Sequence, residues 1–227
     1  MRADYYQNIL YPLQDRVLKI ISPLSVDFYL TGGTALGRGY LNHRYSDDLD
    51  FFVNADSTFK NQVNTIIAAL NKSGLTPDVA SADDDFVRLF LFADNCSLKI
   101  DFVNDIPFRK GRSTETSLFV RTDNLINILS NKITALSRLE PKDVVDILFI
   151  CINSNFNWLD IFIDASEKDI WANPVNTSEI LEKFPVEKTT ELAWTGELPS
   201  ETWFASQISV LIKDILEGEA NSLCKMK

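Results

Sequence analysis

The chain has 227 residues, of which 22 are Lys or Arg and 32 are Asp or Glu, so its formal net charge is −10 at pH 7. This acidic balance excludes a generally basic nucleic-acid-binding protein. Hydrophobic residues form 45% of the chain and aromatic residues 11%, which is enough for a core and excludes a disordered chain. Every apolar run falls short of the roughly 20 residues that cross a bilayer, and the N-terminus has no signal-peptide pattern. We therefore expect a cytoplasmic protein with no membrane contact.

Cysteine and histidine are sparse. Cys96, Cys151 and Cys224 are widely separated, and His43 is the single histidine of the sequence. This spacing excludes a zinc site built from Cys and His, and it excludes mechanisms that need two histidines. We expect reduced thiols, and a chemistry that depends on carboxylates, basic side chains and the backbone.

The first forty residues predict a helix, a strand and a second helix. Apolar residues recur at a helical period through the first twenty positions, and Pro23 ends this helix. The short apolar segment from Val26 to Leu30 predicts a strand. It runs into a turn at Gly32 and Gly33, after which a helix is expected to begin at Thr34.

Three further strands and a helix are expected before residue 115. Residues 48–53 alternate as a strand does, and Asp56, Ser57 and Thr58 can cap a helix that ends at Gly74. Residues 86–92 and 98–103 predict an antiparallel hairpin, with its turn at residues 93–96.

The pattern becomes helical after the polar stretch 107–117. We predict an α+β fold with an α/β domain at residues 1–115 and a helical domain at residues 116–227. The helices are expected at residues 122–139, 141–153, 158–168, 178–184 and 201–216.

Asp48 and Asp50 are the first candidate catalytic residues. Residues two apart on a strand project from one face about 6.6–6.8 Å apart, so both carboxylates can point toward one site. Their mutual repulsion is relieved by a divalent cation, and Mg²⁺ is usually held by one or two carboxylates together with substrate phosphates. We therefore predict that Asp48 and Asp50 are metal ligands.

Asp101 is the candidate third carboxylate and third metal ligand, because it interrupts a strand that otherwise reads as buried. Three converging carboxylates suit a two-metal displacement at phosphorus. The turn at Gly32 and Gly33 lets backbone N–H groups approach a phosphate, and the helix at Thr34 adds the positive end of its dipole. The alternative for Asp101 is a structural ion pair with Lys99 or Arg88.

These residues resemble a known family. The pattern Gly32-Gly33-Thr34 followed by Arg44-x-Ser46-x-Asp48-x-Asp50 is similar to the signature of the DNA polymerase beta-type nucleotidyltransferases, and in particular to the AbiEii/AbiGii toxins of phage-defence and toxin–antitoxin systems. The resemblance implies a mixed sheet flanked by helices and a C-terminal helical domain that closes the nucleotide cleft. It implies Mg²⁺, with two ions expected and Mn²⁺ as an alternative. It also implies a nucleoside triphosphate donor, an acceptor hydroxyl on RNA, tRNA or a protein, and a cognate antitoxin.

The resemblance extends to residues of the helical half. Lys132 interrupts an apolar stripe and matches a triphosphate-binding lysine, while Asp143 and Asp146 match an acidic pair of the family's active site. We therefore count these three residues, with Gly32, Gly33, Thr34, Arg44 and Ser46, as candidate nucleotide-binding residues. Each has a plainer alternative. Lys132 can extend its ammonium to solvent, Asp143 and Asp146 can favour a helix start, and Arg44 and Ser46 can brace a loop.

Two other functions compete with a toxin enzyme. An aminoglycoside-type nucleotidyltransferase uses a similar pair of aspartates, and the acidic chain suits a cationic small molecule. A nucleotide-binding or antitoxin-like module without turnover is the other alternative. The basic residues Arg109, Lys110, Arg112 and Arg121 offer either an RNA contact or a solvated linker.

Overall fold

The computed structural model describes residues 2–93 and 96–224. The chain divides into two compact units, Met1–Pro107 with Arg112–Asn124, and Phe108–Gly111 with Leu125–Lys227. The boundary expected at residue 115 therefore falls inside a segment that belongs to the first unit. Main-chain hydrogen bonds tie this segment to the first unit. Leu30 N–H donates to the Arg121 carbonyl and Asp123 N–H donates to the Leu30 carbonyl, at 2.8 Å each.

The first unit begins with the expected helix. It consists of α1 (Arg2–Tyr5), a π-helical segment (Tyr6–Leu10) and α2 (Tyr11–Ile21). Its apolar stripe is buried, with Val17 and Ile21 fully inaccessible. The helix ends before Pro23, as predicted.

A five-stranded mixed sheet forms the centre of the first unit. Its strands are β1 (Tyr29–Thr31), β2 (Leu49–Asn54), β3 (Asp78–Ala82), β4 (Phe86–Ala93) and β5 (Cys96–Asp105). They lie in the order β1-β2-β5-β4-β3, with β2 and β5 parallel and the other pairs antiparallel. The hairpin of β4 and β5 is confirmed. Of its predicted turn at residues 93–96, Ala93 and Cys96 pair as strand ends, and Asp94 and Asn95 lie outside the described residues.

Side chains along β2 alternate between the buried core and the opposite, half-buried face of the sheet, to which Asp50 belongs. Leu49, Phe51 and Val53 are buried, whereas the residues between them are half-buried. The Phe51 ring stacks on Phe102 of β5 with centroids 5.4 Å apart, and burial of such a ring contributes about 1.5–3 kcal/mol. This packing fixes the face to which Asp50 belongs.

Helices connect the strands. Directly after β1 come α3 (Gly32–Thr34) and a π-helical segment (Ala35–Leu41), and α4 (Phe59–Lys72) follows β2. The first of these begins at Gly32 and not at Thr34, so both glycines belong to its first turn. Asp56 supports the start of α4 by accepting hydrogen bonds from the N–H and hydroxyl of Thr58.

The second unit is helical. Its elements are α5 (Leu125–Ala135), a 3₁₀ turn (Leu136–Arg138), α6 (Pro141–Asn153), α7 (Trp158–Lys168), α8 (Pro174–Glu182), a 3₁₀ segment (Val186–Glu191) and α9 (Glu201–Glu217). Side-chain caps explain three of the starts. Asn157, Asn173 and Ser200 accept main-chain hydrogen bonds at the first turns of α7, α8 and α9.

Large apolar side chains form the core of this unit. Trp158 and Phe204 are completely buried, and the Trp158 ring packs edge-on against Phe156. Within residues 2–93 and 96–224, none of the helices has the length and apolar character needed to traverse a bilayer.

Candidate active site

Parallel pairing of β2 with β5 brings the predicted carboxylates together. Asp50 and Asp101 are register partners on these neighbouring strands, and Asp48 immediately precedes β2. Lys99 contacts two of these three carboxylates, which we call the carboxylate cluster: its Nζ lies 2.8 Å from Asp48 Oδ2 and 3.6 Å from Asp101 Oδ2. Acidic side chains from two separate segments therefore converge on one face of the sheet.

The glycine turn lies directly against this cluster. Gly32 has φ +70°, and a Cβ at this position would overlap the Oδ2 atom of Asp50. Close approach and backbone conformation both require glycine here. Thr34 connects the turn to the strand, because its hydroxyl donates to the carbonyl of Asp48. Gly32 and Thr34 thus hold the start of α3 beside both aspartates.

Arg44 and Ser46 lie on the other side of the turn. A Cβ on Gly33 would be 2.8 Å from Ser46 Oγ and 2.9 Å from an Arg44 guanidinium nitrogen. Both side chains are buried. The loop that carries them is braced by the leading helix, since Gln14 Nε2 donates to the carbonyls of Ser46 and Asp47 at 3.2 and 3.0 Å.

Asp101 contacts both basic residues that the sequence offered as structural partners, Lys99 and Arg88. Arg88 Nε and Nη2 donate to its two carboxylate oxygens at 2.7 and 2.8 Å. This bidentate geometry is strong and directional. The hydrogen bond to Asp101 also raises the pKa of the Arg88 guanidinium above its ordinary value. Arg88 uses one acceptor site on each oxygen of Asp101, so a metal bound there would share these oxygens with the guanidinium.

Lys99 is the residue of this site that the sequence left without a role in binding or catalysis. Burial alone would lower the pKa of its ammonium, but the hydrogen bond to Asp48 and the charges of Asp48, Asp101 and Asp50 outweigh that effect and raise it. Lys99 is therefore a charged part of the cluster. Its signal in the sequence was its position, two residues before Asp101 on the same strand face.

Two residues of the cluster, Asp48 and Asp50, could bind a hard cation such as Mg²⁺ through their carboxylate oxygens. Among the described residues, no group of three or more His, Cys, Asp or Glu side chains is arranged to hold a metal ion, and the oxygens of Asp101 already accept hydrogen bonds from Arg88. Asp48 and Asp50 remain half-buried oxygen donors. Mg²⁺ commonly uses one or two carboxylates, with water and substrate phosphate in its other positions, so the pair suffices.

The remaining predicted residues belong to the second unit, where they contact one another. Lys132 Nζ lies 2.7 Å from Asp143 Oδ1 and 2.7 Å from Asp146 Oδ2, and both aspartate side chains are completely buried. Arg138 adds a contact of 3.2 Å to Asp143. Lys132 already has two buried carboxylate partners in the structure, and the nucleotide-binding role of all three residues stays a prediction.

One buried carboxylate of the first unit escaped the sequence analysis. Asp123 is completely inaccessible, and its Oδ2 accepts a hydrogen bond of 2.8 Å from the Thr31 hydroxyl. Tyr40 donates to its carbonyl at 2.7 Å. These bonds anchor the last residue of β1, immediately before Gly32.

Comparison with known proteins assigns the family. The sequence profile of the nucleotidyl transferase AbiEii toxin family, a type IV toxin–antitoxin family, matches residues 16–200. The chain belongs to this family. As an AbiEii-family member it is a nucleotidyltransferase, and the resemblance carried by residues 32–50 is confirmed.

Solved structures confirm the fold of this AbiEii-family chain. The JHP933 protein of Helicobacter pylori superposes with a TM-score of 0.61 at 18% identity, over 92% of this chain and 90% of its own. A second Helicobacter pylori protein, provisionally described as a nucleotidyltransferase, gives 0.60 at 18% identity over 91% and 94%. The predicted mixed sheet with flanking helices is thereby confirmed. A search of curated proteins returned no significant match.

Proposed function

We propose that this chain transfers a nucleoside monophosphate from a nucleoside triphosphate to an acceptor hydroxyl, with Mg²⁺ or Mn²⁺, as the toxin of a toxin–antitoxin pair. The observation that carries the proposal is the close approach of Gly32 to the Asp50 carboxylate. It brings a helix start, which favours phosphate, against an acidic pair, which favours a divalent cation. Nucleotidyl transfer requires the triphosphate and the divalent cation to be bound next to each other.

Each residue of the site has a proposed task. Asp48 and Asp50 would hold the metal, which when bound supplies positive charge to the triphosphate and lowers the pKa of the acceptor hydroxyl. The N–H groups at Gly33 and Thr34 and the guanidinium of Arg44 would bind phosphate oxygens. Asp101 positions Arg88 and Lys99 in the structure. We propose it as a further ligand whose oxygens are shared with Arg88.

The acceptor is proposed to be an RNA, tRNA or protein hydroxyl, and the partner a cognate antitoxin, because the family is a type IV toxin–antitoxin family. A cationic small molecule is the second candidate acceptor. The net charge of −10 favours it, since an acidic surface attracts aminoglycoside-like cations and repels RNA.

Label transfer tests the reaction and its residues. The chain is incubated with Mg²⁺, total RNA or cell extract, and each nucleoside triphosphate labelled at the α or the γ phosphate. We expect label from the α position only, and removal of the labelled product by ribonuclease or protease identifies the acceptor. Asp48→Ala and Asp50→Asn should abolish transfer.

Asp47→Ala is the matched control. Asp47 is exposed and adjacent, and Gln14 contacts its carbonyl, which the substitution retains. Equal transfer by Asp48→Ala and the parent would reject the assignment. Transfer only to aminoglycosides, with drug resistance in an expressing strain, would establish the second candidate.

A further inference from the structure

Lys99 places a positive charge inside the carboxylate cluster. Its ammonium lies 2.8 Å from Asp48 and 3.6 Å from Asp101, and only 27% of its side chain is exposed. The other lysine of this unit that pairs with an aspartate, among the pairs the structure describes, is Lys60. Its side chain is 57% exposed, and its partner Asp84 is 91% exposed. The contact of Lys99 is therefore part of the site.

A divalent cation on Asp48 would compete with this ammonium. The metal would sit about 2.0–2.1 Å from its ligand oxygens, while Lys99 Nζ is 2.8 Å from Asp48 Oδ2. Two cations on one carboxylate repel each other strongly where water is partly excluded. Metal binding at Asp48 is opposed as long as Lys99 keeps its contact.

We propose that Lys99 is a tethered counter-ion that occupies Asp48 before metal binds, leaves it when metal binds, and then contacts the triphosphate. The inference rests on the proposed function, because it concerns the same two ligands. The flexible four-carbon stem of lysine allows the ammonium to change partners. Without nucleotide the displaced charge loses its carboxylate, whereas with nucleotide it gains phosphate oxygens. Metal and nucleotide should therefore strengthen each other's binding, and by the same factor.

Binding of Mn²⁺ to the intact chain tests this inference without turnover. Titration calorimetry measures Mn²⁺ affinity with and without a nucleoside triphosphate analogue whose α–β bridge is a methylene group. Lys99→Met removes the charge and keeps most of the stem. We expect it to bind Mn²⁺ alone about five- to tenfold more tightly than the parent, which is the scale of a half-buried ion pair. The tightening caused by the analogue should shrink by a similar factor.

Two further variants make the comparison specific. Lys60→Met, which breaks the exposed pair with Asp84 in the same unit, should leave Mn²⁺ affinity unchanged. Lys99→Arg keeps the charge and should show no gain. Should Lys99→Met not fold, amine labelling of the parent read by mass spectrometry replaces it. Labelling of Lys99 should rise with Mn²⁺ and fall again with the analogue, while that of Lys60 stays constant.

The outcomes separate the inference from the proposed function. If parent and Lys99→Met bind Mn²⁺ equally and respond equally to the analogue, the counter-ion role is wrong and the metal site stands. Constant labelling of Lys99 in the parent would overturn it in the same way. If neither protein binds Mn²⁺ with or without the analogue, the metal assignment fails and the inference fails with it.

Discussion

Substitution of Lys132 separates a structural role from nucleotide binding. Lys132→Met keeps the length and the apolar stem but removes the ammonium that lies 2.7 Å from both Asp143 and Asp146. Both carboxylates are completely buried. Breaking a buried ion pair from one side costs about 3–5 kcal/mol, because the remaining charge has lost its compensation. Arg138 still contacts Asp143, but its side chain is 62% exposed and compensates only in part.

Urea unfolding measures this loss in the right unit. All four tryptophans of the chain lie between residues 158 and 203, so their fluorescence reports the second unit. With a loss of about 4 kcal/mol and an m value of about 2 kcal/mol per M, the midpoint should fall by about 2 M. Lys183→Met is the control in the same unit. Its pair with Glu179 spans 3.5 Å on an exposed helix surface and should cost at most about 0.5 kcal/mol.

Equal stability of Lys132→Met and Lys183→Met would refute the structural role. If Lys132→Met also lost nucleotide affinity while its midpoint stayed unchanged, the ammonium would instead serve the triphosphate. A large fall in midpoint, measured without nucleotide, would show that the contacts of Lys132 with Asp143 and Asp146 stabilise the fold.

Two other predictions follow from backbone geometry and burial. Gly32→Ala should cost about 1–2 kcal/mol for its positive φ and also weaken Mn²⁺ binding at least about tenfold, because its Cβ displaces the Asp50 carboxylate. Gly74→Ala is the control, because Gly74 has a similar φ of +74° and a Cβ there would meet only a guanidinium nitrogen, at 3.7 Å. The melting temperature of this variant should fall without loss of Mn²⁺ binding. Equal Mn²⁺ binding by the two variants would contradict the steric argument. Burial raises the pKa of the Cys151 thiol well above its ordinary 9.0, so its contribution to stability is complete below about pH 9 and is lost as pH rises further. Urea midpoints at pH 8 and 10.5 should differ less in Cys151→Ala than in the parent, and a thiol reagent that labels native Cys151 as fast as Cys224 would show that the group is not buried.

Local patterns predicted most of the elements that carry the site. The alternation of β2 and the glycine pair after β1 are properties of a few adjacent residues, and both elements are found with shifted bounds: β2 begins at Leu49, so that Asp48 precedes it, and the helix begins at Gly32. The start of α8 was readable but missed, since Asn173 is an N-cap and Pro174 suits the first helical position. Strand β3 offered no such signal, because Val79 is its single large apolar residue and the strand therefore shows no apolar face.

The sequence offered Lys99 and Arg88 as possible partners of Asp101, but it did not decide whether Asp101 has such a structural partner or completes the catalytic site. The pair of Arg88 with Asp101 depends on the register of β4 against β5, and a shift of one residue would place Arg88 on the opposite face. The contacts of Lys132 with Asp143 and Asp146 likewise depend on how α5 packs against α6. Sequence spacing showed that these charges were unusual, whereas only the three-dimensional arrangement shows which charges compensate one another.

The return of the chain to the first unit limits how the protein can be divided. A fragment that stops at residue 115, where the composition changes, would lack the carbonyl of Arg121 and the N–H of Asp123 that bond to Leu30. It would also lack the carboxylate that accepts from the Thr31 hydroxyl. The outer edge of β1, next to Gly32, would then be exposed to water. Fragments for split-protein reporters or for expression of the first unit should therefore end after Asn124. Such fragments retain residues 108–111, which lie between the two segments of the first unit.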